Sequence, residues 1–230
     1  MCGRYSLSSS AQLVRETFDL DRDLELSPRW NVAPTQDAPV VRRATQGRRR
    51  LDLMRWGLVP ARSTTLAGGQ INARSETAET LPAFRDAFSK RRCLVPADGF
   101  YEWLTLEGQR HPFHIRRRDR RPLAFAGLWS RWQPAHEVPV DSFTILTCPP
   151  SELVRPLHDR MPVILAPSSW DLWLGDEAEA EALRALLVPW AGDELEAVPV
   201  STAVNRADVE GEQCLREVPR PVARQLSLLG

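Results

Sequence analysis

The sequence CLVPADGFYEWLTLEGQRHPFHIRR, residues 93–117, indicates the fold class of this chain. It contains three short segments rich in apolar and aromatic side chains, separated by the dipeptides Asp98-Gly99 and Glu107-Gly108. Short segments of this kind, interrupted by turn-forming residues, are typical of consecutive β-strands. We therefore predict strands at residues 93–97, 100–105 and 112–117.

The same pattern continues on both sides of this stretch. It predicts further strands at residues 39–41, 51–56, 123–129, 142–148, 162–165 and 196–200. Short helices are predicted after the serines 8–10, at 75–79, after Pro82, at 168–174 and at 177–187, and NVAPTQ from Asn31 is predicted to be a loop. We expect an α+β fold: a single mixed β-rich domain over residues 1–219, with partly closed, barrel-like sheets flanked by short helices, and a tail over 220–230.

The composition is that of an ordinary globular protein, with 43% hydrophobic and 26% charged residues. No stretch approaches the ~18 uncharged residues of a membrane span, and the first residues lack the apolar region of a signal peptide. We therefore expect a cytoplasmic protein. Because the four cysteines lie far apart without paired Cys or His residues, we expect no disulfide, no metal and no other cofactor.

The net charge of zero conceals an asymmetry between two parts of the chain. Residues 1–132 carry 23 basic and 14 acidic side chains, whereas residues 133–230 carry 7 basic and 16 acidic ones. The first part can attract a polyanion such as a nucleic acid. Of the 30 basic residues only Lys90 is a lysine, so few side-chain amines compete with the amino terminus for an aldehyde.

Cys2 directly follows the initiator methionine, and a residue this small allows the methionine to be removed. The mature chain would then begin with an amine of pKa near ~8 beside a thiol of pKa near ~8.5. Such a 1,2-aminothiol condenses with an aldehyde to an imine, and the thiol then closes a five-membered thiazolidine. The alternative is that Cys2 is an incidental residue of a frayed terminus.

Two further side chains can exchange protons. Strand alternation places Glu102 on the face of Phe100 and Leu104, where burial of an unpaired carboxylate would raise its pKa towards neutrality. Alternatively, an arginine neutralises Glu102 inside the fold. His158 precedes an apolar strand and can titrate near physiological pH, although a lone histidine can also be purely structural.

A third set of residues can bind an anion or a base. In an extended segment, Asn72 and Arg74 point the same way just before a predicted helix, which suits an anion or sugar-phosphate pocket. The alternative, which these two residues alone favour, is helix capping plus a surface salt bridge. Trp56 beside Gly57 can stack on a base, or it can belong to the core.

The joint order of several motifs carries more information than any one of them. They are CGRYS (2–6), NVAPTQ (31–36), RWGL (55–58), INARSET (71–77), VPADGFYEW (95–103), FAGLW (125–129), LHDRMPVIL (157–165), VSTAVN (200–205) and Cys214. From Cys2 to Pro219 the chain resembles the SOS-response-associated peptidase (SRAP) family. The resemblance implies a sensor that crosslinks covalently to abasic sites in single-stranded DNA, with Met1 removed by self-cleavage and a lyase-like reversal.

The resemblance also implies roles for individual residues. Cys2 would supply the amine and the thiol, Glu102 would exchange protons with the reacting nitrogen, His158 would assist opening of the sugar and breakdown of the ring, and Asn72 would orient the terminus. Arg74 and Arg160 match positions that hold DNA phosphates. The groove would be lined by Arg4, Asn31, Pro34, Trp56 and Trp103. The family often has a basic residue soon after YEW, but Leu104-Thr105 follows here, so we expect no phosphate contact from that position.

The implied partner is DNA with an abasic site, either in a plain single strand or at a junction with duplex, bound by a monomer near the nucleoid. Two other functions remain open. A glutamine amidotransferase can also begin with Met-Cys-Gly, but its oxyanion hole uses an Asn-Gly element, which this chain lacks. A non-catalytic single-stranded DNA-binding module would use the arginines alone, with Cys2 inert.

Overall fold

The computed structural model describes residues 2–21, 25–44, 47–66, 69–133 and 138–222. Met1 and residues 223–230 of the predicted tail lie outside these ranges. The strands are β1 (Tyr5–Leu7), β2 (Arg29–Val32), β3 (Asp37–Arg43), β4 (Arg49–Trp56), β5 (Asn72–Arg74), β6 (Arg92–Ala97), β7 (Gly99–Leu106), β8 (Gln109–Arg117), β9 (Leu123–Trp132), β10 (Val140–Cys148), β11 (Met161–Pro162) and β12 (Leu195–Pro199). The helices are α1 (Ala11–Phe18), α2 (Arg85–Lys90), α3 (Trp170–Leu174) and α4 (Ala180–Ala185).

The strands form two sheets. An antiparallel sheet has the order β12-β8-β7-β1-β2. The other has the order β11-β10-β4-β3-β6-β9, and because β9 also pairs with β10, five of its strands form a closed ring of pairings. The short β5 runs parallel to β10 beside this ring. The predicted α+β class, with a mixed β-rich domain and partly closed sheets, is confirmed.

Residues 93–117 cross from one sheet to the other. β6 belongs to the ring and β7 to the antiparallel sheet, and Asp98 lies between them. Its carboxylate accepts hydrogen bonds from the backbone nitrogens of Ser8 (2.6 Å) and Ser9 (2.9 Å). The segment that follows β1 is therefore tied to the crossover.

A two-residue turn at Glu107 and Gly108 joins β7 to β8. Both residues have positive φ angles, of 50° and 76°, which match the right-handed twist of a tight hairpin. The turn fixes a register that runs from Leu106 opposite Gln109 to Gly99 opposite Arg116. Side chains near the hairpin tip are thereby placed by local sequence.

Several predicted elements differ from the structure. NVAPTQ is not all loop, because Val32 pairs with Tyr5 and the segment from Arg29 extends the antiparallel sheet as β2. The predicted helix at 75–79 is a series of turns, since Pro82 follows closely and disfavours helical backbone before it. Of the predicted strand 162–165, only Pro162 lies in a strand, which is β11. The predicted helices at 168–174 and 177–187 form, but the α-helical parts are only α3 and α4.

An aromatic cluster joins the two sheets. The Tyr5 ring lies 5.2 Å from the Trp56 ring and 6.2 Å from the Phe125 ring, in edge-on geometry that favours aromatic pairs. Phe100 reaches the same Phe125 ring from β7, at 5.9 Å. Burial of each large apolar side chain contributes roughly 1.5–3 kcal/mol. A smaller core covers the other face of the antiparallel sheet, around Tyr101, Val200, Val204 and Cys214.

Arg92 is buried at the start of β6 and ties α2 and α3 to the ring. Its guanidinium donates to the carbonyls of Phe88 (2.6 Å) and Ser89 (2.6 Å) in α2, and to those of Trp173 (2.7 Å) and Gly175 at the end of α3. Helix ends leave such carbonyls without partners inside the helix. One side chain thus satisfies the last turns of two helices.

Within the described ranges, no helix has the length and apolar character needed to cross a membrane.

The substitution Arg92→Ala should strongly destabilise the fold. It leaves buried carbonyls without donors, at about 1–3 kcal/mol each, so we expect a loss of about 3 kcal/mol or more in the free energy of unfolding, measured by urea denaturation. The control is Arg85→Ala in α2, where the exposed Arg85 lies 4.0 Å from the adjacent Asp86; we expect a change within about 0.5 kcal/mol. Equal stability of the two variants would contradict this role.

Candidate functional site

Cys2 lies three residues before the start of β1 and is fully buried. Its carbonyl accepts a hydrogen bond of 2.8 Å from Nδ2 of Asn72. The thiol makes one weak contact, with Sγ 3.9 Å from the carbonyl oxygen of Arg4. The amino-terminal segment is therefore held inside the fold, and the interpretation of Cys2 as part of a frayed terminus is wrong.

Asn72 is positioned by β5, where it lies opposite Ile145 of β10. The segment is extended, so Asn72 and Arg74 share one face of β5 while Ala73 between them is buried. The Oδ1 atom of Asn72 is buried and has no hydrogen-bond partner among the described residues. The Asn72 carboxamide therefore binds the Cys2 carbonyl through Nδ2, and its Oδ1 atom can still accept a hydrogen bond.

Glu102 points to the apolar side of β7, as its alternation with Phe100 and Leu104 predicts. It is 3% exposed. Burial raises the pKa of its carboxyl to about 8, although positive charge at the amino terminus and at Arg110 partly opposes this. At pH 7 the side chain is mostly a neutral acid that can both donate and accept a proton.

The thiol of Cys2 is not activated by its surroundings. Burial raises its pKa above the ordinary range, and the negative charge of Glu102 raises it further. The expected value near ~8.5 for an exposed cysteine therefore does not apply to the buried one. The Cys2 thiol is thus within electrostatic range of the Glu102 carboxyl.

His158 lies on the loop before β11, beside Asp159. Its side chain is 30% exposed, and Nδ1 lies 2.7 Å from Oδ1 of Asp159 and 2.9 Å from the backbone nitrogen of Arg160. Burial lowers its pKa, so the imidazole is mostly neutral at pH 7. The positive charge of the amino terminus acts on the pKa values of both His158 and Glu102. The structure thus joins Cys2 to Asn72 by a hydrogen bond and places Glu102 and His158 within electrostatic range of the amino terminus.

The half-buried Arg4 and the buried Asn31 are bonded to each other near the amino terminus. Nη1 of Arg4 donates to Oδ1 of Asn31 (2.7 Å) and to the carbonyl of Val204 (2.9 Å). Asn31 in turn donates to the carbonyls of Arg206 and Val209, at 2.8 Å each. Because Asn31 is fully buried, the expectation that it lines a groove does not hold; instead it orients Arg4.

The two predicted base-stacking tryptophans differ in accessibility. Trp56 is 0% exposed, packs against Tyr5, and donates from Nε1 to the carbonyl of Ile71 (2.9 Å), so its predicted place in the groove is wrong. Trp103 is half-buried, and its Nε1 donates to Oδ1 of Asn205 (2.6 Å). Pro34 is also half-buried, in the turn before β3.

The two predicted phosphate ligands also differ. Arg74 is exposed at the end of β5. Arg160 forms a two-pronged ion pair with Glu76, in which Nη2 lies 2.8 Å from Oε2, and it donates to the carbonyl of Thr147 as well. This pairing lowers the pKa of Glu76 to about 2. Arg160 is therefore already neutralised, and a phosphate would have to displace Glu76 to bind it.

Two features of the site escape the sequence patterns. The hydroxyl of Tyr5 is buried near Cys2 and has no hydrogen-bond partner among the described residues. Arg110 lies with its guanidinium 4.7 Å from the centre of the Trp103 ring. The turn at Glu107-Gly108 is the one sequence signal for Arg110, because it sets the hairpin register. In the described ranges, no cluster of three or more His, Cys, Asp or Glu residues could hold a metal ion.

Three relatives of the chain are named as abasic site processing proteins. It is 38% identical over 212 residues to the abasic site processing protein YoaM of Bacillus subtilis, covering 89% of this chain and 93% of that one. It is 29% identical to YedK of Escherichia coli, covering 95% and 100% of the two chains, and 28% identical to HMCES of Gallus gallus, covering 98% and 80%. Both are also named abasic site processing proteins.

Solved structures share the fold. A crystal structure of a protein from Bacteroides thetaiotaomicron superposes with a TM-score of 0.83 at 21% identity, covering 95% of this chain and all of that one. Another, from Bordetella bronchiseptica, has a TM-score of 0.77 at 32% identity and covers 87% of this chain. The family model described as SOS response associated peptidase (SRAP) matches residues 1–207. With this match over most of its length, the chain belongs to the SRAP family.

Proposed function

We propose that this protein processes abasic sites in single-stranded DNA by bonding covalently to them through Cys2. The relatives named abasic site processing proteins support the DNA lesion as the target. The burial of Cys2 beside Asn72 and Glu102 is the observation that carries the proposal, because it holds an amine and a thiol next to a proton-exchanging acid. Hydrolysis of the Met1–Cys2 peptide bond has to come first, to release the amine of Cys2.

The proposed bond formation has three steps. The amine of Cys2 attacks the aldehyde carbon of the ring-opened sugar and gives a carbinolamine. The carbinolamine loses its hydroxyl group as water, with a proton supplied by neutral Glu102, and becomes an imine as the Glu102 carboxylate takes up the proton from the nitrogen. The thiol then adds to the imine carbon, its proton reaches the nitrogen through Glu102, and a thiazolidine closes. One water molecule is released, and Glu102 returns to its initial state.

The raised pKa values fit this sequence. A thiol that stays protonated does not compete with the amine for the aldehyde, and it adds only once the imine stands beside it. A carboxyl with a pKa of about 8 can give and take back a proton near neutrality. Neutral His158 is suited to accept a proton while the sugar opens. A glutamine amidotransferase would need a more acidic thiol.

Closing the thiazolidine also explains how the DNA strand is protected. An imine to an amine alone promotes β-elimination and strand scission, whereas the thiazolidine removes the imine. In this proposal Arg74, which is exposed, binds a phosphate of the strand, and Asn72 orients the amino terminus through its bond to the carbonyl of Cys2.

We expect a heat-stable protein–DNA conjugate when the Met1-free protein meets a single-stranded oligonucleotide whose uracil has been removed by a glycosylase. Its mass should equal protein plus oligonucleotide minus one water, as measured by intact mass spectrometry. The thiol-less variant Cys2→Ser should give at most an imine that needs reduction to survive heating. Correctly processed protein that leaves the lesion unmodified would refute the proposal.

The same incubation separates the rival functions. Glutamine hydrolysis without a conjugate would support an amidotransferase. Salt-sensitive DNA binding without a conjugate would support a non-catalytic module. Protein that retains Met1 is the matched negative control, because its terminal amine is not adjacent to a thiol.

Bond formation and DNA affinity should respond to different substitutions. Glu102→Ala and His158→Ala should slow conjugate formation or its reversal by about 10²-fold or more, the usual contribution of general acid–base catalysis, with little change in DNA affinity. Arg74→Ala should weaken binding and reduce its salt dependence instead. The readouts are single-turnover rates at saturating DNA and fluorescence anisotropy. A large loss of affinity with normal bond formation in the first two variants would contradict their roles.

Glu102 should also make stability depend on pH. Between its ordinary pKa of 4.5 and the raised value of about 8, the folded protein retains a proton that the unfolded chain has released. The free energy of unfolding therefore falls as pH rises through this range, by up to about 1.4 kcal/mol per pH unit. Urea unfolding of the wild type and of Glu102→Gln should show a shallower fall for the variant. Identical slopes would mean that the carboxyl has an ordinary pKa.

A further inference from the structure

Arg110 is an exposed arginine near the site that has no acidic partner among the described residues. Its side chain is exposed near the tip of the β7–β8 hairpin, and its guanidinium makes no hydrogen bond or ion pair with any other described residue. Two other arginines are already bound: Arg4 donates a hydrogen bond to Asn31, and Arg160 forms an ion pair with Glu76. An exposed cation without a counter-charge is available to an anionic ligand.

The hairpin holds this cation in a defined place. The register puts Arg110 opposite Thr105, diagonal to Trp103, and the Trp103 ring lies under the guanidinium at 4.7 Å. The ring is itself held by the bond from Nε1 to Asn205. Stacking on an aromatic ring keeps a guanidinium flat and leaves its edge free for two parallel bonds to phosphate.

Arg110 is also close to the reacting groups. By strand alternation its side chain leaves the sheet on the face opposite Glu102, yet its positive charge lowers the pKa of Glu102 and, after burial, that of Arg4. Arg110 is therefore within electrostatic range of both Glu102 and Arg4.

We propose that Arg110, stacked on Trp103, binds a phosphate of the DNA strand near the abasic sugar. This inference rests on the proposed function for the position of the sugar. It also supplies, from the neighbouring strand β8, the positive charge that Leu104-Thr105 of β7 lacks. Arg110 is a specificity-determining contact for DNA and takes no part in proton transfer.

The test measures binding separately from bond formation. The ligand is a single-stranded oligonucleotide with a tetrahydrofuran abasic analogue, which has no aldehyde and cannot form a conjugate. Arg110→Ala should weaken its affinity about tenfold at near-physiological salt and reduce the slope of log affinity against log salt by about 1. Arg110→Lys should restore the slope but only part of the affinity, because lysine keeps the charge and loses the flat fork.

Arg121→Ala is the matched control. Arg121 is an exposed arginine just beyond the other end of β8, roughly 20 Å or more from Arg110 at ~3.3 Å per residue, which exceeds the screening length of ~8–10 Å. The Arg121→Ala substitution removes the same charge as Arg110→Ala. It should leave the DNA affinity and the slope of log affinity against log salt nearly unchanged. Equal effects of the two alanine variants, or an unchanged slope in Arg110→Ala, would overturn the inference.

The outcome is independent of conjugate formation. If natural abasic DNA forms a conjugate with the wild type while Arg110→Ala binds like Arg121→Ala, the inference about Arg110 fails and the proposed function stands. If no conjugate forms but Arg110→Ala loses affinity and slope, the phosphate contact stands and the covalent chemistry fails.

Discussion

Burial of the amino-terminal segment between the two sheets constrains the rest of the site. β1 pairs with β7 on one side and β2 on the other, and Asp98 at the crossover binds the backbone that follows it. Cys2 is consequently enclosed, with its carbonyl on Asn72 and its thiol near Glu102. A terminus that would otherwise fray becomes a rigid part of the core, and its reactive atoms are positioned by sheet geometry.

Burial of the site also determines which of its side chains are charged. Cys2, Glu102 and His158 are all shifted towards their neutral forms, and burial is the largest cause in each case. Such a site holds mobile protons without a permanent negative charge that would repel DNA. The arginines around it divide into those with structural partners, such as Arg92 and Arg160, and those that solvent and ligands can reach. The excess of basic residues in the first part of the chain is therefore no measure of how many contact DNA.

Sequence patterns predicted most of the β-structure, because alternation and turn residues are local signals. They predicted the β7–β8 hairpin and the inward direction of Glu102. They missed β1 and β5, which have three residues each and exist only because distant strands pair with them. Trp56 and Asn31 were predicted in a groove and are buried, since no periodicity reveals that a second sheet covers them. The partner of Arg160, Glu76, is 84 residues away in the chain, beyond any local pattern.

By itself, the sequence determined the strands and turns, the 1,2-aminothiol that removal of Met1 would expose, and the ordered motifs shared with the SRAP family, because each of these depends on residues close together in the chain. The tertiary structure alone decided that the Cys2 thiol and the Glu102 carboxyl are both buried, that Arg160 is paired, and that Arg110 stacks on Trp103 without an acidic partner among the described residues. Protonation states and free charges depend on solvent exclusion and on neighbours from remote strands. Those neighbours are defined only once the two sheets pack together.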